Sequence, residues 1–244
     1  MRRSIISRRL PFRELSNHSA VVIAPHPDDE TFGTGGMIAM KRQAGLPVHV
    51  IFLTEGSASH ANCCTIAPEK IGRIRHEQSI EAAACLGLES DGLVWLGLRD
   101  GEIPVEGAYA FEDAVKIISE QFDKIAPSEI YCPHPYDGLP DHEAASAIVW
   151  HAVLRTNHSF EIIYYTIWAW YNTPSPMNQF FNWNKGWALD IASILDRKAD
   201  AVSCYLDSSP SPCGYPYCGR LPAALLDGFR KPTEIFFDGD ADNE

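Results

Sequence analysis

The chain has 244 residues, a formal net charge of −12 and a hydrophobic content of 45%. That length can bury a substantial core within one α/β domain, and the composition is that of an ordinary globular protein, not of a disordered or fibrous one. The negative charge argues against nonspecific binding to nucleic acid or anionic membrane, which needs a basic field, and no window reaches the ~18 uninterrupted apolar residues of a membrane span.

Residues 1–18 read as a flexible basic leader, with arginines clustered in MRRSIISRRLPFR. No apolar run of secretory length follows those charges, so the segment does not read as a signal peptide. AVVIA (20–24) is a short β-branched run of the kind buried on both faces of a sheet. After a glycine-rich turn, 37–44 reads as a helix stopped by Gly45. Strand-like VHVIFLT (48–54) precedes a long helix over 68–86 that Gly87 closes. LVWL (93–96), a helix over 111–125, EIYCP (129–133) and a helix over 141–154 complete four strand–helix repeats, with Asp141 placed to cap the last helix. Farther on, 161–171 reads as a strand, 187–206 as a helix, 233–237 as a late strand and 239–244 as an acidic tail. The economical division is a leader, a single domain over 19–238 and the tail.

Strand–helix repeats imply a parallel sheet with right-handed crossovers, and such sheets bind ligands outside the carboxyl ends of their strands. Polar residues follow all four strands: Pro25-His26-Pro27-Asp28-Asp29-Glu30, Glu55-Gly56-Ser57, Arg99-Asp100-Gly101, and His134 through His142. A turn rich in Pro and Asp would explain the first group alone, but not its convergence with Asp141-His142. His26, Asp28 and Asp29 are costly to bury without a compensating cation. A catalytic zinc takes three nitrogen or oxygen ligands and keeps an open position. His26 and Asp29 supply two neighbouring ligands, His142 the distant third, and Asp28 is left as a proton acceptor.

The run APHPDDETFGTGG, with TEGS, RIRHEQSIEAAACLG, WLGLRDG and PHPYDGLPDHEA after it, resembles the PIG-L/LmbE-like N-acetylglucosaminyl deacetylases over roughly residues 20–150. The resemblance implies a Rossmann-like three-layer α/β fold, with a mostly parallel sheet flanked by helices. It implies a zinc-dependent hydrolase, another divalent transition metal being an alternative, that frees an amine and acetate from an N-acetylated sugar or glycoconjugate. Carried over, the metal ligands are His26, Asp29 and His142 and the general base is Asp28. Asp100 matches a position that contacts sugar hydroxyls, and Asp141 braces the site or caps its helix. Arg75 lies in a segment like the family's R-x-x-E helix, with Gln78 where Glu is usual, and either contacts substrate or sits on a solvated face. The family's HPDH histidine is replaced by Leu139, so an oxyanion donor has to come from His134 or Tyr136, from the zinc alone, or not at all.

Two alternatives remain open from the sequence. One is a zinc amidase acting on a non-sugar acyl substrate; the other is a catalytically weak protein that binds zinc or carbohydrate. Trp168, Trp170 and Tyr171 form an aromatic group suited to a core or to a sugar-stacking rim. The odd number of cysteines without C-x-x-C spacing fits a reducing cytoplasm, with pairing of Cys213 and Cys218, and self-association, left open.

Overall fold

The computed structural model describes residues 9–60, 65–169, 180–206, 221 and 223–239. Seven strands form one sheet: β1 Ala20–Ala24, β2 Val48–Thr54, β3 Leu93–Leu98, β4 Glu129–Pro133, β5 Glu161–Tyr165, β6 Gly186–Asp190 and β7 Thr233–Asp238. Their spatial order is β3-β2-β1-β4-β5-β7-β6. The first five pair in parallel, whereas β7 runs antiparallel between β5 and β6. The chain builds outward from β1 to β3 and then returns to the other side of β1 with β4. That reversal opens a crevice at the carboxyl ends of β1 and β4.

The helices are α1 Asp29–Gln43, α2 Pro68–Leu86, α3 Phe111–Ile125, α4 Pro140–Val153, α5 Leu195–Leu206 and α6 Ala223–Phe229. Alternate residues of β1 divide between two cores, as the period of two in a strand requires. Ala20, Val22 and Ala24 face α1, α2, α5 and α6, through Phe32, Met37, Ala83, Leu86, Val202 and Phe229. Val21 and Ile23 face α3 and α4, through Phe111, Val115, Ile118, Phe122 and Ile148. No helix among the described residues is long and apolar enough to cross a membrane.

Several boundaries differ from those expected. The glycine-rich segment is helical from Asp29 onward, not a turn before residue 37. Its glycines serve close packing: a Cβ on Gly33 would stand 2.4 Å from Tyr165, and one on Gly36 2.5 Å from Ile191. The loss of helix propensity at glycine is repaid by close approach of α1 to the sheet and its C-terminal elements. Leu139, not Asp141, is the N-cap residue of α4, and Pro140 takes the first helical position, where its missing N–H costs nothing. β5 ends at Tyr165. Residues 187–190, expected within a helix, belong to a strand from Gly186 to Asp190 because β7 supplies a full antiparallel partner from Gly186↔Phe237 to Asp190↔Thr233. The described part of the basic leader is bound to the sheet edge: Arg13 makes two 2.8 Å hydrogen bonds to Asp238, and Phe12 bridges to Ala188.

A buried ion pair ties the carboxyl-terminal elements to α1. Glu234 on β7 accepts the backbone N–H groups of Gly36 (2.6 Å) and Met37 (2.8 Å). Lys198 on α5 pairs with Glu234 and donates to the Phe32 carbonyl at 3.1 Å, the oxygen that the regular ladder assigns to Gly36. Both side chains are within 1% of full burial, so removing one partner strands the other. Lys198→Met is expected to lose about 3–5 kcal/mol in urea unfolding, and adding Glu234→Gln to recover part of it. A loss under ~1 kcal/mol in the single variant would contradict this role.

Candidate metal centre and active site

The site begins where β1 ends. Thr54 ties the turn to β2, its N–H and hydroxyl donating to the Pro25 carbonyl at 3.1 and 2.9 Å. Asp28 then adopts a left-handed backbone (φ 113), a conformation that costs a non-glycine residue roughly 1–3 kcal/mol. It is held there from several directions. The Asp28 carbonyl accepts Thr31 N–H (3.1 Å) and Phe32 N–H (2.8 Å), and Asp28 N–H donates to Glu30 at 3.0 Å. Glu30 is fully buried and accepts the hydroxyls of Thr31 (2.6 Å) and Tyr205 on α5 (2.7 Å). Burial pushes its carboxyl up to about 7, against those hydrogen bonds.

The bend brings three donors together. His26 Nδ1 lies 3.2 Å from Asp29 Oδ2, and His142 Nε2, from the first turn of α4, lies 3.3 Å from the same oxygen. One ligand atom from each residue falls within 4.8 Å of the others. His142 Nε2 is buried and, although it faces Asp29 Oδ2, makes no aligned hydrogen bond, an exception that an ion bound there would explain. Two imidazole nitrogens and a carboxylate oxygen form a donor set suited to a divalent transition metal. The far nitrogens agree with that use. His142 Nδ1 meets Asp137 at 2.8 Å, and His26 Nε2 meets Asp100 at 3.1 Å and Asp141 at 3.0 Å. Carboxylates in those places would hold the N–H of each ring when a metal occupies the other nitrogen. Burial alone would lower His142, but Asp29 and Asp137 raise it to about 9. Burial alone would raise Asp29, but His142 and His26 hold it well below the usual carboxylate range. The charges that would hold a proton on His142 are those that would hold a cation there.

Asp28 stands beside this group, and burial pushes its carboxyl up to about 6 although Arg75 opposes the rise. Arg75 donates to Asp28 Oδ2 at 3.0 Å and also to the Pro27 carbonyl. It passes over Gly56, where a Cβ would lie 2.3 Å from its Nε. Arg75 therefore faces the site and not solvent. A crevice of about 550 Å³ opens over these groups, lined by His26, Asp28, Asp29, Arg75, Asp100 and Asp141 on its polar part.

Of the residues singled out from sequence, those six and His142 are brought together. His134 and Tyr136 are not among the residues lining the crevice. His134 is buried and stacked on Phe181 at 4.2 Å, its Nδ1 accepts Tyr136 N–H at 3.1 Å, and burial lowers it to about 3. Tyr136 is exposed and packs on Phe180. Leu139 lines the crevice itself. Asp141 does not cap α4 through its side chain; it accepts the N–H groups of Gly101 (2.8 Å) and Ile103 (3.3 Å) as well as facing His26. Asp100 accepts Ala58 N–H at 2.6 Å. Trp168 lines the crevice, while Trp170, Tyr171, Cys213 and Cys218 lie outside the described residues.

Asp137, Glu30 and Tyr205 were not legible as site residues. Asp137 is fully buried and accepts His142 Nδ1–H together with the N–H groups of Ile167 (2.8 Å), Trp168 (3.1 Å) and Ala169 (3.2 Å). Its place five residues before His142, in the loop after a buried strand, was the available signal. Nothing local marks Tyr205, which reaches Glu30 from α5.

A family model described as PIG-L, GlcNAc-PI de-N-acetylase, matches residues 21–153, from β1 to the end of α4. A Bacillus subtilis protein named "Probable N-acetyl-alpha-D-glucosaminyl L-malate deacetylase 2" is 33% identical over 138 residues, covering 55% of this chain and 60% of that protein. The chain thus spans about three-fifths of that relative's length. The N,N'-diacetylchitobiose deacetylase of Pyrococcus horikoshii superposes with a TM-score of 0.63 at 20% identity, covering 88% of this chain and 76% of that one. GalB, the 4-carboxy-2-hydroxymuconate hydratase of Pseudomonas putida, does so with a TM-score of 0.65 at 16% identity, covering 93% and 97%. The two structural likenesses establish a shared fold, and a fold that carries a hydratase does not by itself set the reaction.

All four acceptor positions of the Asp137 carboxylate are used, and an amide would turn an NH₂ group towards two of its donors. Asp137→Asn is therefore expected to weaken binding of zinc about 10–100-fold in competition with a chromogenic chelator. Unchanged affinity in a folded variant would remove Asp137 from the site.

Proposed function

The chain belongs to the PIG-L family, and on that premise we propose that it is a zinc-dependent hydrolase. It removes the acetyl group from the nitrogen of an N-acetylglucosamine-type sugar or glycoconjugate, leaving acetate and a free amine. The observation that carries this reading is the convergence of His26, Asp29 and His142, one ligand atom of each within 4.8 Å of the others, with a base, Asp28, beside them on the crevice wall. The curated relative's name points to the same substrate class.

His26, Asp29 and His142 would hold the metal, which when bound supplies Lewis acidity. Asp28 takes a proton from the attacking water as its oxygen approaches the acetamide carbon. Arg75, 3.0 Å from Asp28 Oδ2, orients that carboxylate, and Glu30 and Tyr205 hold the backbone that presents it. The bond to nitrogen then breaks and Asp28 returns the proton to the departing amine. Asp100 and Arg75 line the part of the crevice suited to sugar hydroxyls. The described cysteines are free thiols, which fits the cytoplasmic setting we assign.

A second reading, a protein that binds zinc and sugar with weak catalysis, is favoured by one observation: Leu139 lines the crevice where a donor would stabilise the oxyanion. Loss of such a donor typically costs about 10²–10³ in rate. Primary-amine release from N-acetylglucosamine derivatives separates the readings. Zinc-loaded protein is expected to release amine, chelated protein to release none, and Asp28→Asn to lose about 10²–10⁴ in kcat while binding zinc normally. An Asp28→Asn variant as fast as the wild type would overturn the assignment of the base. No release from zinc-loaded protein would favour the binding reading.

A further inference from the structure

The crevice is divided by chemistry along the order of the strands. His26, Asp28 and Asp29 follow β1, which lies between β2 and β4 in the sheet. On the β2–β3 side the lining is polar: Ser59 and the backbone at Gly56 and Ala58, then Asp100 and Gly101, with Arg75 reaching over from α2. On the β4–β5 side, among the described residues, it is Leu139 and Pro140 after β4 and Trp168 after β5. Pro140 has no N–H to offer. Asp141 belongs to the same side, but its carboxylate is occupied by His26, Gly101 and Ile103. The Trp168 backbone N–H is spent on Asp137.

We propose that this wall is an acyl subsite and that it selects an acyl group longer than acetyl, in the butanoyl-to-hexanoyl class, with Leu139 and Trp168 as the specificity-determining residues. The proposal rests on the amide-hydrolase reading given above. An amide held across the end of β1 places its two halves over opposite sides of the sheet. The amine half, rich in hydroxyls, meets Ser59, Asp100 held beside His26 and Ala58, and Arg75 held beside Asp28 and Pro27. Hydroxyls turned towards Leu139 and Pro140 would be desolvated with no partner there among the described residues. An alkyl chain there has no such cost and removes apolar wall from water. Acetyl offers that wall only one methyl group, whereas each added methylene can cover more of Leu139 and Trp168. Leucine at 139 thus reads as a change of what the site accepts, with the polar metal donors left intact.

The test is kcat/KM for amine release from N-acetyl-, N-propanoyl-, N-butanoyl- and N-hexanoylglucosamine, using the zinc-loaded full chain. The expected result is a rise of about fourfold per added methylene over the first members, flattened in Leu139→Ser and in Trp168→Ala. Because the readout is a ratio within one protein sample, partial loss of folded variant does not alter it. Zinc-dependent hydrolysis that is flat or falls with chain length would overturn the acyl subsite and leave the hydrolase standing. No zinc-dependent amine release from any member would overturn both.

Discussion

Asp29 Oδ2 lies 3.2 Å from His26 Nδ1 and 3.3 Å from His142 Nε2, in a place nearly closed to solvent, and much of the structure is arranged to keep those three groups there. A carboxylate so buried is expensive unless positive charge faces it. The two imidazoles come from segments more than a hundred residues apart, and only the reversal of strand order beside β1 brings them together. Each ring is then locked from behind by carboxylates: Asp137 for His142, Asp100 and Asp141 for His26. These in turn are held by backbone N–H groups of neighbouring loops. The constraint therefore propagates outward from one oxygen to the ends of β3, β4 and β5.

The left-handed backbone at Asp28 is the second consequence of that geometry. Asp28 precedes the first residue of α1, and at this bend Asp29 faces the imidazoles while Asp28 faces Arg75. Its cost is met by contacts that begin outside the matched family segment, since Tyr205 reaches Glu30 from α5 and the Lys198–Glu234 pair fastens α1 to α5 and β7. The carboxyl-terminal elements thus support the site's geometry, and Leu221, between α5 and α6, lines the crevice.

The parts of the fold that were legible in the sequence are those decided locally or by burial on both faces. AVVIA, VHVIFLT and EIYCP are strands because β-branched and aromatic runs of that length suit a sheet covered on both sides. Where a distant partner decides, the sequence misleads. WALDIASILDRK has apolar spacing compatible with a helix, yet its first residues pair along β7. The glycines of α1 look like a turn until Tyr165 and Ile191 are seen against them. The same division applies to the candidate site. His26, Asp28, Asp29 and His142 stand at strand ends and were visible as chemistry, whereas Asp137 and Tyr205 act through contacts that only the folded chain creates. His134 and Tyr136 are near Leu139 in sequence but are turned into an aromatic cluster with Phe180 and Phe181.

His26 belongs to two groups of potential ligands, one with Asp29 and His142 and one with Asp100 and Asp141, and the function proposed here depends on the first. Anomalous diffraction at the zinc edge, from crystals grown with one equivalent of zinc, distinguishes them directly. A single strong peak bonded to His26, Asp29 and His142 is the predicted result. A peak between His26, Asp100 and Asp141, or no peak near His26 at all, would contradict it.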